Sequence, residues 1–264
     1  MSKVLIFDCD GVLGDTEQDG HLPAFNQMWR EFGVPWQWSV EEYGEKLKIG
    51  GGKERMSSLF ADPQFLSVFT PPADKQGRAD LIAEWHKRKS GIYQEMIRSG
   101  HIPPRSGVKR LSEEALENGW VLAVASTSAQ DSVEAVLRRA VGKDTAARFS
   151  LVLAGDVVKH KKPAPDIYIM TAQRLGVSPS ECVVVEDSAN GVAAAVSAKM
   201  KCVVTVSGYT GGEDFSQAEI VLSCLGDPDG EICHILENRS PATPGGYFTV
   251  ADLEAILRGA TAAA

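Results

Sequence analysis

Val4-Leu5-Ile6-Phe7-Asp8-Cys9-Asp10-Gly11-Val12-Leu13 is the stretch on which the fold turns. Four apolar residues in a row, closed by acids and a glycine, describe a strand buried on both faces that opens into a loop. Similar runs recur at Val121–Ala125, Leu151–Ala154, Cys182–Val185 and Cys202–Val206. Helix-period segments lie between them: Val108, Leu111, Ala115 and Leu116; then Val133, Val136 and Leu137; then Ile167, Tyr168, Thr171 and Leu175, with Gly176 as a cap. Strands alternating with helices at this spacing predict an α/β domain with a parallel sheet covered on both faces.

Residues 16–100 read differently. Pro23 opens a helix in which Phe25, Met28, Trp29 and Phe32 share a face, and Gly33 ends it. Val40, Tyr43 and Leu47 suggest a second helix, and Met56, Leu59 and Phe60 a third. A long fourth carries Leu81, Ile82, Trp85, Ile92, Tyr93, Met96 and Ile97. No strand signal interrupts them. The expectation is a core domain over 1–15 and 101–264, a helical domain inserted over 16–100, and a hinge where the chain crosses twice. The tail after Gly226 reads as turns followed by a short helix at Val250, Leu253, Ile256 and Leu257, and the terminal alanines are expected to fray.

The 264 residues carry 27 Lys+Arg against 35 Asp+Glu, a net charge of −8, which argues against nucleic acid or an anionic membrane as a partner. Five cysteines, odd in number and without a C-x-x-C pair, suggest buried thiols in a reducing compartment rather than a disulfide frame or a zinc site. No apolar run is long enough to span a membrane, and the N-terminus resembles neither a secretory signal nor a transit peptide.

Candidate chemistry sits at the strand ends, where open α/β sheets gather their ligands. Asp8 and Asp10 follow the first strand; two anions that close repel unless a cation or a proton intervenes. Alone, the pair reads better as an acidic loop capping a helix. Ser126-Thr127-Ser128 follows the second strand and offers hydroxyls and N–H groups to a phosphate. Lys161-Lys162-Pro163-Ala164-Pro165-Asp166 and Glu186-Asp187-Ser188 follow the next two, the latter suited to a hard, oxygen-ligated cation. In the helical insertion, Gly50-Gly51-Gly52 before Lys53 could bare N–H groups at a helix start, or form a plain interhelical loop. On a ~100° per residue wheel, Lys89 falls in the middle of the apolar stripe, by snorkelling or because it lines a pocket with Lys53 and Arg55.

Together these four segments resemble the motifs of the haloacid dehalogenase superfamily of phosphotransferases. The Lys-Pro-Ala-Pro-Asp and Glu-Asp-Ser stretches are similar to the β-phosphoglucomutase-like branch. Ile49–Met56, Asp15-Thr16-Glu17, Ala154–Val158 and Ser207-Gly208-Tyr209-Thr210 resemble the CbbY family of xylulose-1,5-bisphosphate phosphatases, plant and algal members in particular. Against bacterial members one extra residue stands between Glu17 and His21.

The resemblance implies a Rossmann-like core with a C1-type helical cap. It implies a monomeric enzyme, working in the chloroplast stroma if the source is a plant or alga and in the cytoplasm otherwise. By the same resemblance Asp8 is the nucleophile, Asp10 the general acid and base, and Ser126 and Lys162 hold the phosphoryl group. Mg²⁺ would be held by Asp8, the Asp10 carbonyl and Asp187, with Glu186 behind them. Glu17, His21, Gly51, Gly52, Lys53, Arg55 and Lys89 of the cap, with Thr127 and Ser128, would bind a phosphorylated sugar. A mutase, a broad-specificity phosphatase and an inactive binding protein are the competing expectations.

Overall fold

The computed structural model describes residues 2–49 and 51–259. Gly50 and the terminal alanines therefore lie outside the described residues. The chain divides into two units, Met1–Asp15 with Pro103–Ala264, and Thr16–Ile102.

The first unit is built on a seven-stranded sheet. Its strands are β1 (Val4–Phe7), β2 (Val121–Ala125), β3 (Leu151–Leu153), β4 (Cys182–Glu186), β5 (Lys201–Thr205), β6 (Ile220–Leu222) and β7 (Ile235–Asn238). Their spatial order is β3-β2-β1-β4-β5-β6-β7. All neighbours run parallel except β6 and β7. The four residues of β1 are wholly buried because the sheet carries helices on both faces. Val4 and Ile6 pack with Ile167, Tyr168 and Ala172 of α9 (Asp166–Leu175) and Ala194 and Ala195 of α10 (Ala189–Ser197). On the opposite face, α6 (Val108–Glu117) and α11 (Val250–Arg258) pack against β2 and β4, and α7 (Gln130–Val141), which α8 (Lys143–Ala146) follows, packs on α6 and β3. The chain leaves β1 towards β2 and β3, then returns to the other side of β1 with β4. The carboxyl ends of β1 and β4 thus flank the point where strand order reverses, the usual crevice for a ligand in this architecture.

The second unit is helical: α1 (Leu22–Glu31), α2 (Val40–Leu47), α3 (Gly52–Ser58), α4 (Pro63–Val68) and α5 (Lys75–Arg98). Aromatic rings fill its centre, with Phe25 against Trp38 at 5.1 Å and Trp29 edge-on to Trp38 at 4.6 Å. Local chemistry sets the helix starts. Ser39 and Glu42 form a reciprocal capping box, and Asp62 and Asp74 accept N–H groups at the heads of α4 and α5. Before α1, Glu17–His21 forms a π-helical turn closed by the Leu22 N–H on the Glu17 carbonyl. A π turn absorbs one added residue without disturbing the phase of the helix that follows.

Three features depart from the sequence expectations. α4 occupies a stretch assigned no element, although Asp62-Pro63 is a cap followed by a first-turn proline. β6 completes the sheet in a stretch assigned no element, and β7 forms where turns were expected and makes the sheet edge antiparallel. Every residue of β7 is exposed, so Ile235-Leu236-Glu237-Asn238 lacks the alternation that marks a half-buried strand.

Candidate active site

Asp8 sits one residue past β1, buried, with its N–H on the Val185 carbonyl of β4. Lys162 Nζ donates to Asp8 Oδ1 at 2.6 Å, to Glu186 Oε1 at 2.6 Å and to the Ala125 carbonyl at 3.3 Å. One ammonium thus ties together the ends of β1, β2 and β4. Tyr168 donates its phenol to Glu186, and its ring lies 4.8 Å from the Lys162 ammonium. The second Glu186 oxygen accepts the Asp187 N–H at 3.1 Å. Glu186 is therefore committed to protein donors on both oxygens.

Asp8, Glu186 and Asp187 each present a carboxylate oxygen, all within 4.8 Å of one another. Burial lifts the Asp8 pKa to about 7; Lys162 pulls it down, and Glu186 and Asp10 push it up. Burial, with the charges of Glu186 and Asp8, pushes Asp187 well above the usual carboxylate range. For Lys162 burial disfavours the charge, but Asp8 and Glu186 outweigh it and hold the ammonium above its ordinary value. Three buried acids against one lysine leave the site short of positive charge. Gly11 closes the cradle: its φ is +75°, and a Cβ there would fall 2.0 Å from Asp187 Oδ2. Only glycine lets the Asp8 loop lie against Asp187. These all-oxygen groups fit a hard divalent cation such as Mg²⁺.

The Asp10 carboxylate stands apart from that trio and accepts the Ser128 hydroxyl. Ser128 N–H in turn donates to Ser126 Oγ at 3.2 Å, and Ser126 is buried at the end of β2 with half-buried Thr127 behind it. The structure therefore brings Asp8, Asp10, Ser126, Ser128, Lys162, Glu186 and Asp187 to one end of the sheet.

Sequence reasoning missed two contributors here. Tyr168 was read only as an apolar position of α9. Arg105 carried no motif, yet its guanidinium donates to the carbonyls of Gly11, Thr205, Val206 (2.6 Å) and Ser223 (2.9 Å). It anchors the Asp8 loop to the ends of β5 and β6. The only sequence signal was a cation directly behind Pro103-Pro104.

In the second unit Lys89 is buried, with Nζ 2.6 Å from His21 Nδ1 and 4.5 Å from the Phe25 ring centroid. A lysine ammonium can only donate, so His21 Nδ1 accepts. Burial, followed by the charges of Lys89, Arg55 and His86, holds His21 well below its usual pKa and keeps it neutral. His21 also stacks on Tyr93 at 3.9 Å. Arg55 donates to Tyr43 Oη at 3.0 Å and pairs with Glu17 at 3.7 Å, and Tyr43 donates to Glu17. Glu17, His21, Arg55 and Lys89 are thus one cluster, to which Tyr43 and His86 are additions that the sequence did not signal as polar positions.

Lys53 lines a groove with Ser57, Phe60, Arg78 and Ile82, and its charge reaches the cluster through His86. Gly51 caps α3 with φ +98°, and Gly52 is its first residue. A Cβ on Gly51 would meet Glu54 Oε2 at 2.1 Å, so a carboxylate already faces this helix start.

Stability should report the cation site. Asp8 and Asp187 have folded-state pKa values above the unfolded ones. Such groups stabilise the fold below the unfolded value, and the contribution is lost as pH rises through the folded value. For Asp8 that window runs from 3.8 to about 7. Chelated protein should lose melting temperature between pH 5.5 and pH 8, and the gain from added Mg²⁺ should grow over the same interval as metal replaces protons. Thermal unfolding with chelator or Mg²⁺ at both pH values measures it; a pH-independent Mg²⁺ increment would refute the assignment.

The family description haloacid dehalogenase-like hydrolase matches residues 2–199. The chain belongs to that family. Within it, the chain is 47% identical over 231 residues to the CBBY-like protein of Arabidopsis thaliana, covering 88% of this chain and 72% of that one. It is 36% identical to the plasmid protein CbbY of Cupriavidus necator, covering 96% and 95% of the two chains. A crystal structure of mutant CbbY from Rhodobacter sphaeroides, in complex with xylulose-(1,5)bisphosphate, is similar with TM-score 0.69 and 36% identity. The match covers 85% of this chain and 95% of that one. This haloacid dehalogenase-like hydrolase is an enzyme of the phosphatase type, with a mostly parallel sheet. Among its described residues no helix is long and apolar enough to cross a membrane.

Proposed function

We propose that this hydrolase is a Mg²⁺-dependent sugar-bisphosphate phosphatase that converts xylulose 1,5-bisphosphate to xylulose 5-phosphate and phosphate. The observation that carries the reading is the buried Asp8 carboxylate, held at 2.6 Å by Lys162 beside Asp187, with Asp10 positioned by Ser128 two residues on. Asp8 attacks phosphorus and forms an aspartyl phosphate, while Asp10 protonates the departing sugar oxygen. Asp10 then takes a proton from the water that cleaves the intermediate. Ser126 and Lys162 hold the phosphoryl oxygens, and Glu186 and Tyr168 keep Lys162 in place. Held by Asp8, the Asp10 backbone carbonyl and Asp187, Mg²⁺ would supply the positive charge that lets a phosphate approach two carboxylates.

The choice of a bisphosphate is supported by the cationic cluster of the second unit and by the ligand of the Rhodobacter relative. Lys89 and Arg55 would take the second phosphate, with neutral His21 as a hydrogen-bonding partner. The Arabidopsis relative supports a stromal site of action for a plant or algal chain, and the bacterial relatives a cytoplasmic one. A monomer suffices for this chemistry.

Phosphate release with Mg²⁺ from xylulose 1,5-bisphosphate, ribulose 1,5-bisphosphate and glucose 1-phosphate tests the substrate. The expected result is at least about 100-fold higher kcat/KM for the xylulose compound, a discrimination of ~2.7 kcal/mol in the transition state. Conversion of glucose 1-phosphate to glucose 6-phosphate with little phosphate released would replace this reading with a mutase on the same site.

A further inference from the structure

We propose that Cys224 and Cys233 form a cross-strand dithiol site that takes a disulfide by exchange with a small disulfide of the glutathione type. The argument begins with register. Beyond an irregularity between Val221 and Leu222, Leu222 of β6 pairs with Ile235 of β7. One step on, Ser223 N–H donates to the His234 carbonyl at 2.9 Å, and His234 N–H to Ser223 Oγ at 2.9 Å. Continuing this register past the strand ends would set Cys224 opposite Cys233, and Cys224 Sγ donates to the carbonyl of Ile232, the residue before Cys233, at 3.6 Å. Directly opposed residues of an antiparallel pair project from one face with Cβ atoms ~4.5–5.5 Å apart, at the edge of the ~3.5–4.5 Å a disulfide needs.

Burial and then the neighbouring Cys224 push the Cys233 thiol up to about 11, as expected for two thiols side by side. The other three thiols have no such partner in register. Cys202 lies opposite Val184 rather than Cys182, and Cys9 sits in the Asp8 loop.

Access comes from the arm that carries Cys233. Residues 228–232 and 234–239 are exposed, and only Cys233 among them is tucked in. Such an arm opens locally at low cost, and the opened thiol ionises more easily. The Cys233 thiolate then attacks one sulfur of glutathione disulfide and expels one glutathione thiolate. The Cys224 thiolate attacks the Cys233 sulfur of the mixed disulfide, forms the Cys224–Cys233 bond and expels the second. Two protons and two electrons leave the protein with the two glutathiones.

The ring so closed contains Asp227, which accepts the Ser106 hydroxyl at 2.9 Å and the Gly107 N–H at 2.7 Å at the head of α6. Ser223, beside Cys224, supplies one of the carbonyls that hold Arg105. The cystine would lock both attachments.

The test exposes the full chain at pH 8 to glutathione disulfide, alkylates the remaining thiols after unfolding, and maps them by mass spectrometry. Cleavage at Asp227, Asp229 or Glu231 separates the two cysteines. The expected result is a loss of two hydrogens, a crosslinked Cys224–Cys233 peptide pair, three alkylated thiols and reversal by dithiothreitol. Oxidation should also raise the melting temperature by about 4 °C. Cys224→Ser should stop at a mixed disulfide on Cys233, and Cys182→Ser should behave as the parent. Alkylation of both residues after oxidation, separate glutathione adducts on both, or a bond to another cysteine would overturn the proposal. The peptide map of the unmutated chain decides it even if a serine variant fails to fold.

Discussion

Asp8→Asn is expected to lower phosphate release by at least about four orders of magnitude while the protein remains folded. The amide keeps the shape of the carboxylate but is not a nucleophile, so covalent transfer has no acceptor. Folding should survive because Lys162 retains Glu186 at 2.6 Å as its charge partner. The lost charge is also one that burial opposes, as the rise of the Asp8 pKa to about 7 shows. Removing a disfavoured buried charge costs little. Steady-state phosphate release and a melting curve on the same preparation check both halves. A loss below 100-fold in a folded variant would exclude Asp8 as the nucleophile.

Lys89→Met should lower kcat/KM on xylulose 1,5-bisphosphate by about 100-fold and on a sugar monophosphate by less than about five-fold. The remote phosphate contributes binding energy only if a buried cation meets it, and Lys89 is the cation held among His21, Phe25 and Tyr93. Methionine preserves the packing of the stem and removes the charge, so the melting temperature should not fall. Arg55→Ala should show the same preference with a smaller loss, since Arg55 is already paired with Glu17. Equal losses on bisphosphate and monophosphate would mean that the cluster is structural.

Both expectations rest on residues that were legible in the sequence for different reasons. Asp8, Ser126 and Glu186 each follow an apolar run directly and Lys162 follows one across a short loop, and parallel strands buried on both faces must read as such runs. Lys89 showed itself as a charge out of phase with a helical stripe, a conflict between local pattern and burial that functional sites tolerate. The extra residue between Glu17 and His21 was visible as well. Only the π turn shows how the helix absorbs it while both side chains enter one cluster.

What stayed hidden has a common cause. Tyr168 and Tyr43 look like core aromatics, because a phenol aimed at a buried carboxylate has the same helical phase as one packed on leucine. Arg105 stands in no pattern, since its partners are backbone carbonyls from segments about 100 residues away in sequence. β6 and β7 are short, and their pairing rests on an edge that no residue alternation encodes. Periodicity and composition are local properties, and they suffice for a parallel α/β core covered on both faces, a helical stretch over 16–100 and the residue types at the strand ends. Only the folded chain shows which acids share one lysine and which glycine must lack a side chain. Those outcomes depend on distances across strands, and a linear chain does not carry them.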